Sequence, residues 1–306
     1  MNSFALLLSL FTIRNDPQTI TNSLNGQQDM IQLCAAQGGM LLPTYSDHDG
    51  TPRTACLLVN SAATSQKPLP LLVWLHPSLA DSDVLSLTGL PQLSKSFDLG
   101  SGPGFHILLP AGRDTSHVYP FPDDVGVGWD NWYRNFDRND RSKLNVDVDA
   151  IDHFIAQAKN STSVDNQRVY LSGWSNGAAM AMMYALNTPG IAAAAVYSAP
   201  DPYRDVNDPC AQTPQPPYLT PIYDIHNYCD IIGICTTGAN FHRDLAERYP
   251  QLVNEHVIID ALQTPGSRCD PTCAPNQINQ AGALFHQRWP VLRNSDMLNF
   301  LKRYTA

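Results

Sequence analysis

The sequence predicts an α/β fold, a mostly parallel central sheet with helices on both faces. Three observations carry that expectation. Leu69–Leu75 (LPLLVWL) is apolar at consecutive positions, as in a parallel strand buried on both sides. Short apolar, β-rich runs alternate with helix-forming segments, the pattern of strand–helix–strand units. The pentapeptide Gly173-Trp174-Ser175-Asn176-Gly177 joins such a run, Arg168–Leu171, to a helical one, Ala178–Leu186.

The elements follow in order. Residues 1–38 read as a leader. Phe4–Ile13 (FALLLSLFTI) has signal-peptide length, without a preceding Lys or Arg or a clean cleavage site, and a helix is expected near 29–37. The alternative is an amphipathic helix or leader docked on the domain. Residues 39–306 are expected to form one catalytic domain with insertions near 112–145 and 199–221. Strands are expected at 40–43 and 53–60, around a turn at Asp47-His48-Asp49-Gly50, where glycine supplies the bend. Further strands are expected at 69–75, 105–109, 168–171, 191–198, 222–226 and 256–262. Helices are expected at 147–158, 178–186, 240–248 and 296–304. The aromatic excursion over 112–145, with Trp129, Trp132 and Tyr133, is long enough to suggest a functional loop.

The 306 residues carry a formal net charge of −9, which argues against a nucleic-acid or anionic-membrane partner. No internal repeat is visible, and no apolar stretch reaches the length of a membrane span. Seven cysteines (34, 56, 210, 229, 235, 269, 273) suggest disulfides, with Cys229/Cys235 and Cys269/Cys273 near enough in sequence for local pairs. With the sequon Asn160-Ser161-Thr162 they favour a secreted protein. A metal site is not expected, because Cys269/Cys273 has no second Cys/His pair at zinc-finger distance.

A serine at a strand-to-helix turn presents its hydroxyl above the positive end of the helix. The alternative is an ordinary Gly-Ser turn. As a nucleophile, Ser175 needs a base, a group to orient that base, and donors for an oxyanion. In a parallel sheet these converge at the carboxyl ends of the strands. His256 opens its expected strand and so lies at the wrong end, while His76 and His226 close theirs but come early in the chain. His286, in the loop before the last helix, is the expected base. Asp230, after the strand ending at His226, is the expected acid, with Asp201 as its rival. The backbone N–H groups of Asn176 and Ser78 are the expected oxyanion donors, Leu79 being the reserve because Pro77 has no N–H. The chain order Ser175, Asp230, His286 is that of α/β-hydrolases. No cofactor is called for.

Arg168-Val-Tyr-Leu-Ser-Gly-Trp-Ser175-Asn-Gly-Ala-Ala, preceded by Val164-Asp165, resembles the nucleophile region of the polyhydroxybutyrate depolymerase and feruloyl esterase group. Leu75-His76 resembles that group's Leu-His-Gly oxyanion strand, and His226-Asn-Tyr-Cys-Asp230 its His-Gly-x-x-Asp spacing. His286-Gln-Arg-Trp289-Pro290 resembles its His-x-Trp-Pro segment with one extra residue, and Asp130-Asn131-Trp132 its Trp-containing loop. Pro77 and Asn227 stand where the group usually has glycine. The resemblance, loose over 68–303 and strong around Ser175, implies an α/β-hydrolase fold and a carboxylic-ester hydrolase, often secreted. It places the triad acid on Asp230. The implied substrates are hydroxycinnamoyl, short-acyl or polyester esters, small or polymeric. Trp129, Trp132, Trp174 and Trp289, with Tyr133, could line an aromatic pocket or sit in the core. Two other readings remain: a serine peptidase of prolyl-oligopeptidase type, disfavoured because about 65 residues before the sheet are too few for a propeller, and a catalytically silent binding protein.

Overall fold

Leu69–Leu75 forms the expected strand and sits near the middle of an eight-stranded sheet. The computed structural model describes residues 30–48, 50–78, 84–113, 127–131, 134–204, 213–227, 230, 234–259 and 286–306. The apolar run 4–13, Asp49, Leu79, Trp132, Tyr133, Cys210, Cys229, Asp260, Cys269 and Cys273 lie outside the described residues.

In chain order the strands are β1 (Met40–Leu41), β2 (Tyr45–Ser46), β3 (Pro52–Arg53), β4 (Ala55–Leu58), β5 (Leu69–Leu75), β6 (His106–Pro110), β7 (Val164–Trp174), β8 (Ala193–Tyr197), β9 (Ile222–Asn227) and β10 (Asn254–Ile259). The main sheet runs β1-β4-β6-β5-β7-β8-β9-β10, and β2 pairs β3 separately. β1 and β4 join antiparallel, and every pairing from β6 to β10 is parallel. The longer helices are α1 (Val146–Ser161), α2 (Asn176–Asn187), α3 (Ile234–Arg248) and α4 (Asn294–Lys302).

Consecutive apolar residues on β5 supply two cores at once. Leu71, Val73 and Leu75 pack on one face with Ile151 and Phe154 of α1 and Met180 of α2. Leu72 and Trp74 pack on the other with Leu298 and Phe300 of α4. Helix α2 is buried from Asn176 to Leu186, which explains why its sequence is apolar all round. Several boundaries differ from the sequence expectation, three of them near the site. β7 begins at Val164, α3 begins at Ile234, and His256 is the third residue of β10 rather than its first.

Register aligns the strand ends. Leu75 of β5 lies opposite Gly173 of β7, and Trp174 lies opposite Tyr197 of β8. Tyr197 in turn lies opposite Ile225 of β9. The residues that follow these positions therefore emerge on one edge.

Local sequence expectation did not pair Cys34 with Cys56, which form a disulfide across a separation of 22 residues. It ties the helix over 30–36 to β4, and Met30 and Leu33 of that helix pack in the second core. Cys235 is also disulfide-bonded.

The start of α1 is held by polar groups. Asn145 caps it, its side-chain oxygen accepting from the N–H groups of Asp147 and Val148 at 2.9 and 3.0 Å. Asp147 does more than favour the helix dipole. It pairs with Arg53 at 2.6 Å, and Arg53 also reaches Asp47 at 3.0 Å and the carbonyl of Ala111. The Asp47 and Asp147 side chains are fully buried and Arg53 is 1% exposed. Such a pair costs desolvation to build, and removing one partner strands the other charge. Arg53→Met is expected to lower the unfolding free energy by about 3–5 kcal/mol in urea titration. A loss under about 1 kcal/mol, the range of surface pairs, would show that the network is not sealed from water.

Candidate active site

Ser175 lies between β7 and α2 with φ 56° and ψ −121°, a positive-φ conformation uncommon for a side-chain-bearing residue. Its N–H donates to Tyr197 O at 3.0 Å, and its carbonyl opens the helix by accepting from Ala178 and Ala179. The flanking glycines are there for contact. A Cβ on Gly177 would lie 2.4 Å from the carbonyl oxygens of both Leu75 and His76, and one on Gly173 would lie 2.5 Å from Gly177 O. Only bare backbone lets β5, β7 and α2 meet this closely.

Two groups expected from the sequence converge on Ser175. His286 Nε2 accepts from Ser175 Oγ at 2.8 Å, and His286 Nδ1–H donates to Asp230 Oδ1 at 2.7 Å. The Asp230 side chain has no exposed surface, and that of His286 is 12% exposed. Asp201, the rival acid, caps its own turn by accepting from Tyr203 N–H at 2.8 Å and lies 3.6 Å from Arg204. Asn227 fills its glycine-like position without strain. It ends β9 in extended conformation, donates to the Tyr197 hydroxyl at 2.8 Å, and its carbonyl receives Asp230 N–H at 3.1 Å.

Asn176 opens α2, so its backbone N–H belongs to the first turn, beside Ser175. Its side chain has a second task that the sequence did not announce. The amide oxygen accepts from Trp129 N–H at 2.7 Å, and the amide nitrogen donates to Trp129 O at 3.0 Å and to Asn131 Oδ1 at 3.1 Å. This clamps residues 127–131 over the helix start. A Cβ on Gly128 would lie 3.2 Å from Asn176 Oδ1 and 3.4 Å from the Ser78 Cβ, so Gly128 threads between the two expected donor residues.

The segment before Ser78 is fixed from several sides. Gly112 N–H donates to His76 Nε2 at 2.9 Å. That nitrogen must therefore be the acceptor, so Nδ1 carries the proton and donates to Pro77 O at 2.8 Å. Trp129 Nε1–H donates to His76 O at 2.8 Å. Arg113 and Gly128 exchange backbone hydrogen bonds of 3.1 and 3.0 Å, closing the two described ends of the long excursion against each other.

Trp129, Trp174 and Trp289 are buried and spend their indole N–H groups internally. Trp174 donates to His286 O at 2.8 Å and Trp289 to Asn294 Oδ1 at 2.6 Å. Trp174, Tyr197 and Trp289 form an aromatic cluster with ring centroids 5.9 to 6.0 Å apart.

A second polar cluster lies behind the site. His226 Nε2–H donates to Ala199 O at 2.7 Å, and its Nδ1 accepts from His256 Nε2 at 3.0 Å. His242 Nε2 meets Asp224 Oδ2 at 3.0 Å. Burial raises the Asp224 carboxyl well above its usual range and pushes His226 well below the usual histidine range. It lowers His242 and His256 to about 4. Among the described residues, no group of His, Cys, Asp and Glu is arranged to hold a metal ion, and no helix is long and apolar enough to cross a membrane.

The sheet order, the turn at Ser175 and the converging side chains can be set beside solved structures. A thermostable esterase matches with a TM-score of 0.54 at 16% identity, over 88% of this chain. A ferulic acid esterase matches with a TM-score of 0.53 at 14% identity, over 87% of this chain and 98% of its own. The fold is that of the α/β-hydrolases. The chain spans 63% of the length of the thermostable esterase, and at these identities the likeness establishes the α/β-hydrolase fold alone. No family model matches the sequence, and no curated protein matches it.

Two outcomes follow for this α/β-hydrolase. Gly177→Ala is expected to cost about 1–3 kcal/mol or more, because the added methyl meets backbone that cannot step aside. An unchanged urea midpoint would refute the contact. The second concerns acid. His242 and His256 stay neutral when folded down to about pH 4, whereas unfolded imidazoles protonate near 6.5. The unfolded chain thus binds more protons in that window, and these groups lose stability as pH falls through it. Asp224 and Asp201, the latter raised to about 6 by burial, work in the opposite direction. His256→Gln is expected to flatten the fall of the urea midpoint between pH 6.5 and 4, and an unaltered slope would rule the histidine out.

Proposed function

We propose that the protein is a serine carboxylic-ester hydrolase acting through an acyl-enzyme on Ser175. The observation that carries this reading is the hydrogen-bonded line from Asp230 through His286 to Ser175 Oγ. In this reading His286 Nε2 takes the Ser175 proton as Oγ bonds to the ester carbonyl carbon. Asp230 holds the imidazole in the tautomer whose Nε2 is free to accept, and stabilises the imidazolium. The carbonyl oxygen becomes an oxyanion received by the N–H groups of Asn176 and Ser78, one such donor being worth about 3 kcal/mol. The imidazolium then gives its proton to the leaving alcohol. Water, deprotonated by His286, attacks the acyl group and regenerates Ser175. Trp129 and Trp174 serve by holding His76 and His286 through their indole N–H bonds.

The substrate class is carried by the resemblance around Ser175 to the polyhydroxybutyrate depolymerase and feruloyl esterase group: feruloyl, short-acyl or polyester esters. Residues 39–306 are the catalytic unit in this reading. The buried disulfide Cys34–Cys56 supports folding in an oxidising compartment, hence secretion.

A fluorophosphonate probe is expected to label the wild type and leave Ser175→Ala unlabelled. p-Nitrophenyl acetate and methyl ferulate are expected to be turned over, with kcat falling at least about 1000-fold in Ser175→Ala and His286→Ala. Labelling that persists without Ser175 would sink the assignment. Cleavage of an aminoacyl anilide with no ester turnover would replace the esterase by a peptidase.

A further inference from the structure

Ser198 immediately follows β8 and is fully buried. Among the described non-glycine residues, only it and Ser175 have positive φ, at 60° and 56°. Glycine would adopt this conformation without steric cost, so what serine adds at the position is its hydroxyl. That hydroxyl lies between two members of the Ser175 line. Its O–H donates to Asp230 Oδ2, and its oxygen is 3.0 Å from His286 Nδ1. The backbone on which it rides is fixed, since Ser198 N–H donates to Ile225 O at 2.8 Å.

The need for such a contact follows from where Asp230 sits. Its carboxylate is buried, and its Oδ1 is used by His286. The Ser198 hydroxyl meets the charge of this desolvated carboxylate at Oδ2 and opposes its rotation about the last torsion away from Nδ1.

We propose that Ser198 is a positioning residue for the triad, holding the Asp230 carboxylate so that Oδ1 stays on His286 Nδ1. The inference rests on the triad reading of Ser175, His286 and Asp230. Ser198 does not touch the reacting atoms. It acts through Asp230, so its loss should slow the chemical step and leave substrate binding unchanged.

The test uses the full chain with Ser198→Gly and Ser198→Ala, measured on p-nitrophenyl acetate. The kcat is taken per active site titrated by the fluorophosphonate, so that misfolded protein does not count. Glycine removes the hydroxyl and relieves the backbone, whereas alanine removes the hydroxyl and keeps the strain. Both variants are expected to lose about 10-fold or more in kcat, with KM changed less than about 2-fold. Ser198→Gly is expected to melt at or above Ser198→Ala. Wild-type kcat in either variant, or a loss carried by KM, would overturn the proposal. Ser175→Ala in the same assay separates the two levels. If it keeps full turnover, the triad reading falls and this inference with it. If it is silent and Ser198→Gly is fully active, only Ser198 is wrong.

Discussion

Everything at this site depends on backbone meeting backbone at the carboxyl end of β5. The carbonyls of Leu75 and His76 occupy the space where a side chain of residue 177 would begin. Helix α2 can therefore start hard against β5, and the chain between β7 and α2 has a single residue in which to turn. Ser175 absorbs that turn at positive φ. The strain is held by burial of nearly the whole of α2, since a helix sealed in apolar contacts cannot unwind a residue to relax its first turn. Apolar packing far from the serine thus keeps its hydroxyl presented.

The polar groups around this turn are linked rather than independent. Asn176 reads the backbone of Trp129, and Trp129 in turn holds His76 O. One residue further on, Asp130 N–H donates to Asp147 Oδ2 at 2.5 Å and its carbonyl receives Asn145 Nδ2 at 2.6 Å. Asp147 is the same carboxylate that pairs with Arg53. The 127–131 segment is therefore pinned between the starts of α1 and α2. With little water present, each bond is costly to break because a broken one leaves a buried polar group unpaired. Rigidity here comes from side-chain hydrogen bonds to the backbone of an irregular segment, where no helix or sheet ladder is available to supply it.

That distinction decides what the sequence could disclose. β5 was legible because burial on both faces writes an uninterrupted apolar run, and α2 because Ala, Met and Leu follow the turn. His286 and Asp230 were expected near Ser175 from topology and from the resemblance. A parallel sheet fixes which strand ends face the site, which set His256 aside, and chain order then favoured His286 over His76 and His226. Asn176 as a clamp, Ser198 and the Cys34–Cys56 pair were not legible. Each is a contact between residues distant in sequence, made by single polar or sulfur atoms that leave no periodicity. Asn227 shows the converse. It stands where the group resembled around Ser175 usually has glycine, yet its extended backbone needs none, so the departure costs the geometry nothing.

His286 raises a separate problem, because it is 111 residues beyond Ser175. Its position is set from the residue that precedes Ser175. Trp174 ends β7 beside Ser175 and donates its indole N–H to His286 O, while its ring packs on Tyr197 and Trp289. Trp289 follows His286 closely and is itself held by Asn294 at the start of α4. The histidine backbone is thus gripped on both sides by one aromatic cluster rooted in the sheet. A ring offers a large rigid surface with few rotatable bonds, and its N–H gives direction to an otherwise non-directional contact. Any displacement of the His286 segment must break the indole hydrogen bond and open the cluster together. This coupling lets a residue from a distant segment meet Ser175 Oγ at hydrogen-bond distance.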